Sequence, residues 1–135
     1  MKFDTKIAIV VRDDLETWQA LNVTAFTISG IAGTQDVMGK AYEDGSGQTY
    51  LPMIKQPIMV FCADGSTLQA IHEKALRKDI RFTVYTEELF ATPNDEENRA
   101  AVKAVPTEAL NLVGMALYGK KKAIDTVMKG VPLHR

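Results

Sequence analysis

A chain of 135 residues with 46% apolar and 24% charged side chains has the size and composition of one folded domain, burying about two thirds of its unfolded surface. Sixteen Lys and Arg against 17 Asp and Glu leave a formal charge of -1, so no overall positive field gathers phosphates, and DNA is not an expected partner. The lone cysteine, Cys62, excludes an internal disulfide and a thiolate-rich metal cluster; no apolar run approaches the ~20 residues that cross a bilayer, and MKFDTKIAIVV lacks a signal-peptide pattern, so a cytoplasmic protein without membrane contact is expected.

Lys6 to Val11, KIAIVV, is a β-branched run suited to an interior strand buried on both faces. Glu16 to Ala32 is too long for a strand and contains no proline, which predicts a helix. Val23, Phe26 and Gly30 share one of its faces, and Leu21, Ala25, Ile28 and Ala32 lie close to another. Apolar groups that far round predict a largely buried helix, held by packing because its threonines and Gly30 lower its propensity. Gly33 to Leu51 is the least regular stretch. Its Asp44-Gly45 and Ser46-Gly47 pairs predict a surface excursion with a short hairpin or a mobile flap.

Pro57 opens a second strand, Ile58 to Ala63. Ser66 with Gln69 reads as a capping box for the next helix, whose inward stripe is Leu68, Ile71 and Ala75, with Arg77 and Lys78 at its carboxyl end. A strand from Arg81 to Thr86 alternates, with Phe82, Val84 and Thr86 on one side. Thr92-Pro93 reads as an N-cap with proline at the first helical position, and Asp95, Glu96 and Glu97 fill the first turn of a helix that must stop near Pro106. Leu110 to Tyr118 forms a fourth strand, in which Gly114 signals a bulge or a close backbone approach. A last helix over Lys121 to Lys129 turns Ile124, Val127 and Met128 inward and ends at Gly130. This alternation predicts an α/β architecture in a single domain over 1–135, with helices layered on a mixed sheet of about four strands.

Arg12, Asp13 and Asp14 fall at the carboxyl end of the first strand, where open α/β sheets place ligands; the aspartates could order water or hold a cation, or form the turn and cap the helix that follows. Asn22, Thr24, Thr27 and Ser29 put polar groups on the first helix that suit binding rather than proton transfer. Cys62 is the only potential thiolate nucleophile and reads as an inert, partly buried thiol beside Asp64. His72 and His134 give no metal-ligand spacing. No glycine fingerprint follows the first strand, so neither a metal nor a cofactor is expected. Lys120, Lys121 and Lys122 begin the last helix with the sign its dipole disfavours, which an anion on the free amides would offset.

The run VVRDDLETWQALNVTAF, the Asp-Gly turn at 44, the strand before Cys62 and the closing LVGMALYGKKKAIDTVMKG resemble the DUF2000 family of uncharacterised bacterial proteins, which is similar in fold to the type 2 peptidyl-tRNA hydrolases. The resemblance implies a three-layer sandwich like that of those hydrolases. Their first strand carries a VR-x-DL pattern, matched here by Val11, Arg12, Asp14 and Leu15. The position of their lysine falls on Leu21 or Asn22, their histidine on Ile28 or Ser29, and the aspartate of their DAG-x-T motif near Thr86. Asp14 is the matching acidic group that survives.

The leading reading is a non-hydrolytic relative that binds a small molecule or a protein partner at a mouth formed by Arg12, Asp14, Asn22, Thr24, Cys62, Asp64 and Thr86. A second keeps hydrolysis of peptidyl-tRNA or a smaller ester, with Asp14 as the candidate catalytic residue and a displaced lysine such as Lys120. A third is RNA binding without turnover through Lys120 to Lys122, although the near-neutral charge disfavours tRNA. Helix faces in small folds of this kind often pair, which makes a homodimer compatible with the sequence.

Overall fold

The computed structural model describes residues 2–135. In the central strand β1 (Thr5–Arg12) the run Ile7 to Val11 consists of β-branched and small residues with no polar side chain to satisfy, and all five are buried. Strand β4 (Ile58–Ala63) pairs parallel to β1 on one side, and β6 (Leu112–Lys120) pairs antiparallel on the other. Strand β5 (Ile80–Thr86) lies antiparallel to β6, giving the order β4-β1-β6-β5 in a four-stranded mixed sheet. The tail beyond the last helix lies along the β4 edge, where the backbone amide of Cys62 donates to the Pro132 carbonyl (3.0 Å) and that of His134 to the Val60 carbonyl (2.9 Å).

The two-residue period of a strand sends alternate side chains of β1 to opposite layers. Ile7, Ile9 and Val11 meet helix α1 (Thr17–Thr34) through Val23 and Ile31. Ala8 and Val10 meet α2 (Gly65–Leu76) and α4 (Lys121–Val127) through Leu68, Ile71, Ala75, Ile124 and Val127. The result is three layers, with α1 alone on one face. Two close contacts seat it: a Cβ on Gly114 would stand 2.3 Å from Val23 Cγ1, and one on Gly30 would stand 2.4 Å from Thr83 Cγ2. Gly114 also marks an irregularity. Tyr85 pairs with Gly114 but Thr86 pairs with Leu112, so the register slips by one residue at the end of β5.

Several expectations need correction. Helix α1 is not largely buried: only Val23, Thr27 and Ile31 are, while Trp18 (56% exposed), Leu21 (66%) and Phe26 (57%) face outward because nothing covers the outer side of a lone helix on that face. Its cap is neither Asp13 nor Asp14 but Glu16, in a capping box with Gln19. Helix α2 is capped by Asp64, which accepts from the Thr67 amide at 2.8 Å, and the Ser66 hydroxyl donates to that same carboxylate. Helix α3 (Asp95–Lys103) is capped by Asn94 instead of Thr92, because a 3-10 turn over Glu87–Ala91 comes first and the Thr92 hydroxyl closes it by donating to Leu89 O.

The irregular segment forms the expected hairpin, β2 (Tyr42–Glu43) with β3 (Thr49–Tyr50). Asp44 holds its turn by accepting from the Ser46 and Gln48 amides and the Tyr50 hydroxyl, bonds that draw its carboxyl below the usual range, the phenol bond most of all. Among the described residues no helix is long and apolar enough to cross a membrane, and no group of three or more His, Cys, Asp or Glu is placed to hold a metal ion.

Candidate functional site

Residues four apart on a helix share a face, and α1 carries two such stripes. Val23, Thr27 and Ile31 meet the sheet; Thr27 can sit there because its hydroxyl donates to the Val23 carbonyl at 2.8 Å. Trp18, Asn22 and Phe26 form the other stripe and overlook the end of β5 and the 3-10 turn. The Trp18 ring meets Phe90 edge-on at 5.7 Å, Phe90 lies 5.2 Å from Tyr85, and Tyr85 lies 6.2 Å from Phe26. These separations lie in the favourable range for offset and edge-to-face rings. The Tyr85 hydroxyl donates to Asn22 Oδ1 at 3.3 Å, and burial pushes its phenol pKa up, so the proton stays in that bond.

The aromatic row floors a groove whose outer wall is α3. That helix has no buried residue and packs mainly on the 3-10 turn, so a gap remains between it and α1. Two cavities of about 590 and 360 Å³ fill the gap and share Phe26, Tyr85, Leu89, Asp95 and Asn98. Volumes of this order suit small-molecule ligands. Neither cysteine nor histidine lines the groove, and its one carboxylate, Asp95, is paired with Arg99. Such a lining suits binding and orientation, and it contains no thiol, imidazole or unpaired carboxylate.

Arg12 ties the entry of α1 to the 3-10 turn. Its side chain is only 14% exposed, and its guanidinium donates through Nε to Asp14 (2.6 Å), through Nη2 to Glu87 (2.5 Å) and through Nη1 to Asn111 (3.2 Å). Asp14 belongs to the turn that leads into α1, and Glu87 opens the 3-10 turn that carries Phe90. One rigid fork therefore ties both sides of the Trp18–Phe90 contact, a task suited to a planar guanidinium. The Asp14 bond, and after it Glu87, raises the arginine pKa against the opposing effect of burial.

The sequence-derived candidates fall in separate places. Arg12 and Asp14 form the brace, and Asn22 lies in the groove. Thr24 donates back to the Ala20 carbonyl, and Asp64 caps α2. Thr86 is fully buried and lines neither groove cavity, its hydroxyl oxygen without a partner. Cys62 lines a different cavity of about 380 Å³ with Arg12, Asp13 and the tail residues 132–135. Burial, and after it the charge of Asp13, pushes its thiol pKa up, which disfavours the thiolate. Lys120, Lys121 and Lys122 are exposed, and the Lys121 amide is occupied by the Asp4 carbonyl.

Trp18, Phe26, Tyr85, Leu89 and Phe90 are groove residues that the sequence reading missed. The signal for Trp18 and Phe26 is the second four-residue stripe on α1, offset from the core stripe by one position; Tyr85, Leu89 and Phe90 lie on β5 and the 3-10 turn, outside that stripe.

The family model described as a protein of unknown function, DUF2000, matches residues 5–135. A solved structure of a protein of unknown function from Agrobacterium tumefaciens strain C58 is similar to this chain at 44% identity and a TM-score of 0.94, over 99% of this chain and 100% of that one. None of the curated proteins matches.

Proposed function

The chain belongs to the DUF2000 family, and from that premise we propose that it is a non-hydrolytic binding protein whose groove between α1 and α3 takes a small, largely apolar molecule. The observation that carries this reading is the aromatic row Trp18–Phe90–Tyr85–Phe26 flooring two joined cavities. Rings left exposed on a monomer's surface are normal singly; a contiguous row beside a cavity points to a ligand.

The scaffold is proposed as a relative of the type 2 peptidyl-tRNA hydrolases that does not run their chemistry. The positions matched to their lysine, histidine and aspartate carry Leu21 or Asn22, Ile28 or Ser29, and Thr86. Leu21 points outward, the Ser29 hydroxyl is spent on the Phe26 carbonyl, and Thr86 is buried. Removing one donor of an oxyanion site typically costs about 3 to 4 kcal/mol at the transition state. Asp14, the surviving acid, already accepts from Arg12.

Titration with Nile red, a neutral fluorophore that brightens in apolar surroundings, tests the reading. The wild-type chain is expected to raise and blue-shift its emission saturably, and Phe26→Asp, at an exposed position that leaves the core intact, to weaken that binding at least tenfold. A dark wild-type titration, or equal binding by the variant, would reject the groove.

A further inference from the structure

We infer that the ligand of the groove is an apolar carboxylate: a small organic acid whose ring or chain lies on the aromatic floor and whose carboxylate sits between Arg99 and Lys103. This rests on the groove reading above and deepens it. The charged residues lining the groove all come from α3, and they are one acid, Asp95, and two bases, Arg99 and Lys103, a net of one positive charge. Their four-residue spacing puts them in a single row along the wall.

Asp95 and Arg99 are paired within that row. Lys103, one turn further on, has no carboxylate within ion-pair distance among the described residues. Two like charges at this spacing repel, and an anion between them converts repulsion into attraction on both sides. An arginine presents a fork that a carboxylate oxygen can use even while its other edge holds Asp95. At the Trp18 end of the groove a further donor is present. Asn22 has its oxygen occupied by the Tyr85 hydroxyl, so the amide nitrogen is left to donate.

The place of Lys103 in the last turn of α3 also suits the helix dipole, a purely structural role. The two roles separate by experiment. The full chain is titrated calorimetrically at low salt with 2-naphthoic acid and with 2-naphthamide, which share a ring system and differ in charge. The acid is expected to bind at least about fivefold tighter, the scale of one exposed ion pair. Added salt should narrow the gap, and Lys103→Met should narrow it too by weakening the acid, since Arg99 alone then holds the carboxylate.

Equal binding of acid and amide, or a preference for the acid undiminished in Lys103→Met, overturns the carboxylate assignment while the groove reading stands. Failure of both compounds with Nile red still bound overturns it too. Failure of all three probes removes the groove reading and this inference with it.

Discussion

Arg12→Ala is the change that most directly probes how the groove is held together. The guanidinium loses three partners: Asp14 at 2.6 Å, Glu87 at 2.5 Å and Asn111 at 3.2 Å. Both carboxylates are more than half exposed, so water replaces the lost donor and no buried charge is stranded; each pair belongs near the upper end of the surface range, about 1 kcal/mol. The largely covered arginine stem adds packing, but the total stays near 2 kcal/mol. For a domain of this size that corresponds to a fall in Tm of roughly 8 °C. The local effect should exceed the global one, because the brace ties the α1 entry to the 3-10 turn. Emission from Trp18, the sole tryptophan, should shift to the red as its contact with Phe90 loosens, and Nile red affinity should drop. Arg12→Lys should restore little of either, since an ammonium cannot span three acceptors in a plane. A variant melting within about 1 °C of wild type, with unchanged Trp18 emission, would refute the bracing role.

Thr86→Val replaces a buried hydroxyl that has no partner by a methyl of similar shape, and chemical denaturation should show a gain of about 1 kcal/mol; a loss would mean the hydroxyl has a partner in solution. Gly114→Ala sets a Cβ 2.3 Å from Val23 Cγ1 and 3.2 Å from the Val10 carbonyl, and should cost about 2 kcal/mol or more as α1 lifts from the sheet; wild-type stability would show that α1 is not seated there. His72 is buried against Phe82, and desolvation lowers its pKa in the folded state, only partly offset by Glu73. The unfolded chain therefore binds the proton better, so stability should be level above pH about 6.5 and decline as pH falls below it. In His72→Leu that decline should disappear from pH 5 to 6.5. The lowered pKa of Asp64 acts in a separate window, below its ordinary 3.8.

The strands were the most legible part of the sequence. KIAIVV is an apolar run of the kind a strand buried on both faces uses, and β1 is one; IMVFCA, opened by a proline, reads as a strand just as plainly, although β4 lies at the sheet edge with Ile58 and Met59 exposed. Helix caps were less legible, since Asp64 and Ser66, or Thr92 and Asn94, lie two residues apart, and only backbone geometry decides which side chain reaches the third amide. The brace was beyond reach because Glu87 and Asn111 stand 75 and 99 residues from Arg12. The groove stayed hidden for a different reason. Both stripes of α1 mix apolar and polar residues, and Phe26 reads as core until the structure shows that no second layer covers the helix.

The measurement that tests the central claim most directly is a nitrogen–proton correlation spectrum of the labelled chain titrated with 2-naphthamide. The account predicts saturable shifts concentrated on the Trp18 indole, the Asn22 side-chain amide and the backbone amides of Phe26, Tyr85, Leu89 and Asn98, with Cys62 and the tail residues unmoved. Shifts confined to the Cys62 cavity, or none at millimolar ligand, would contradict it.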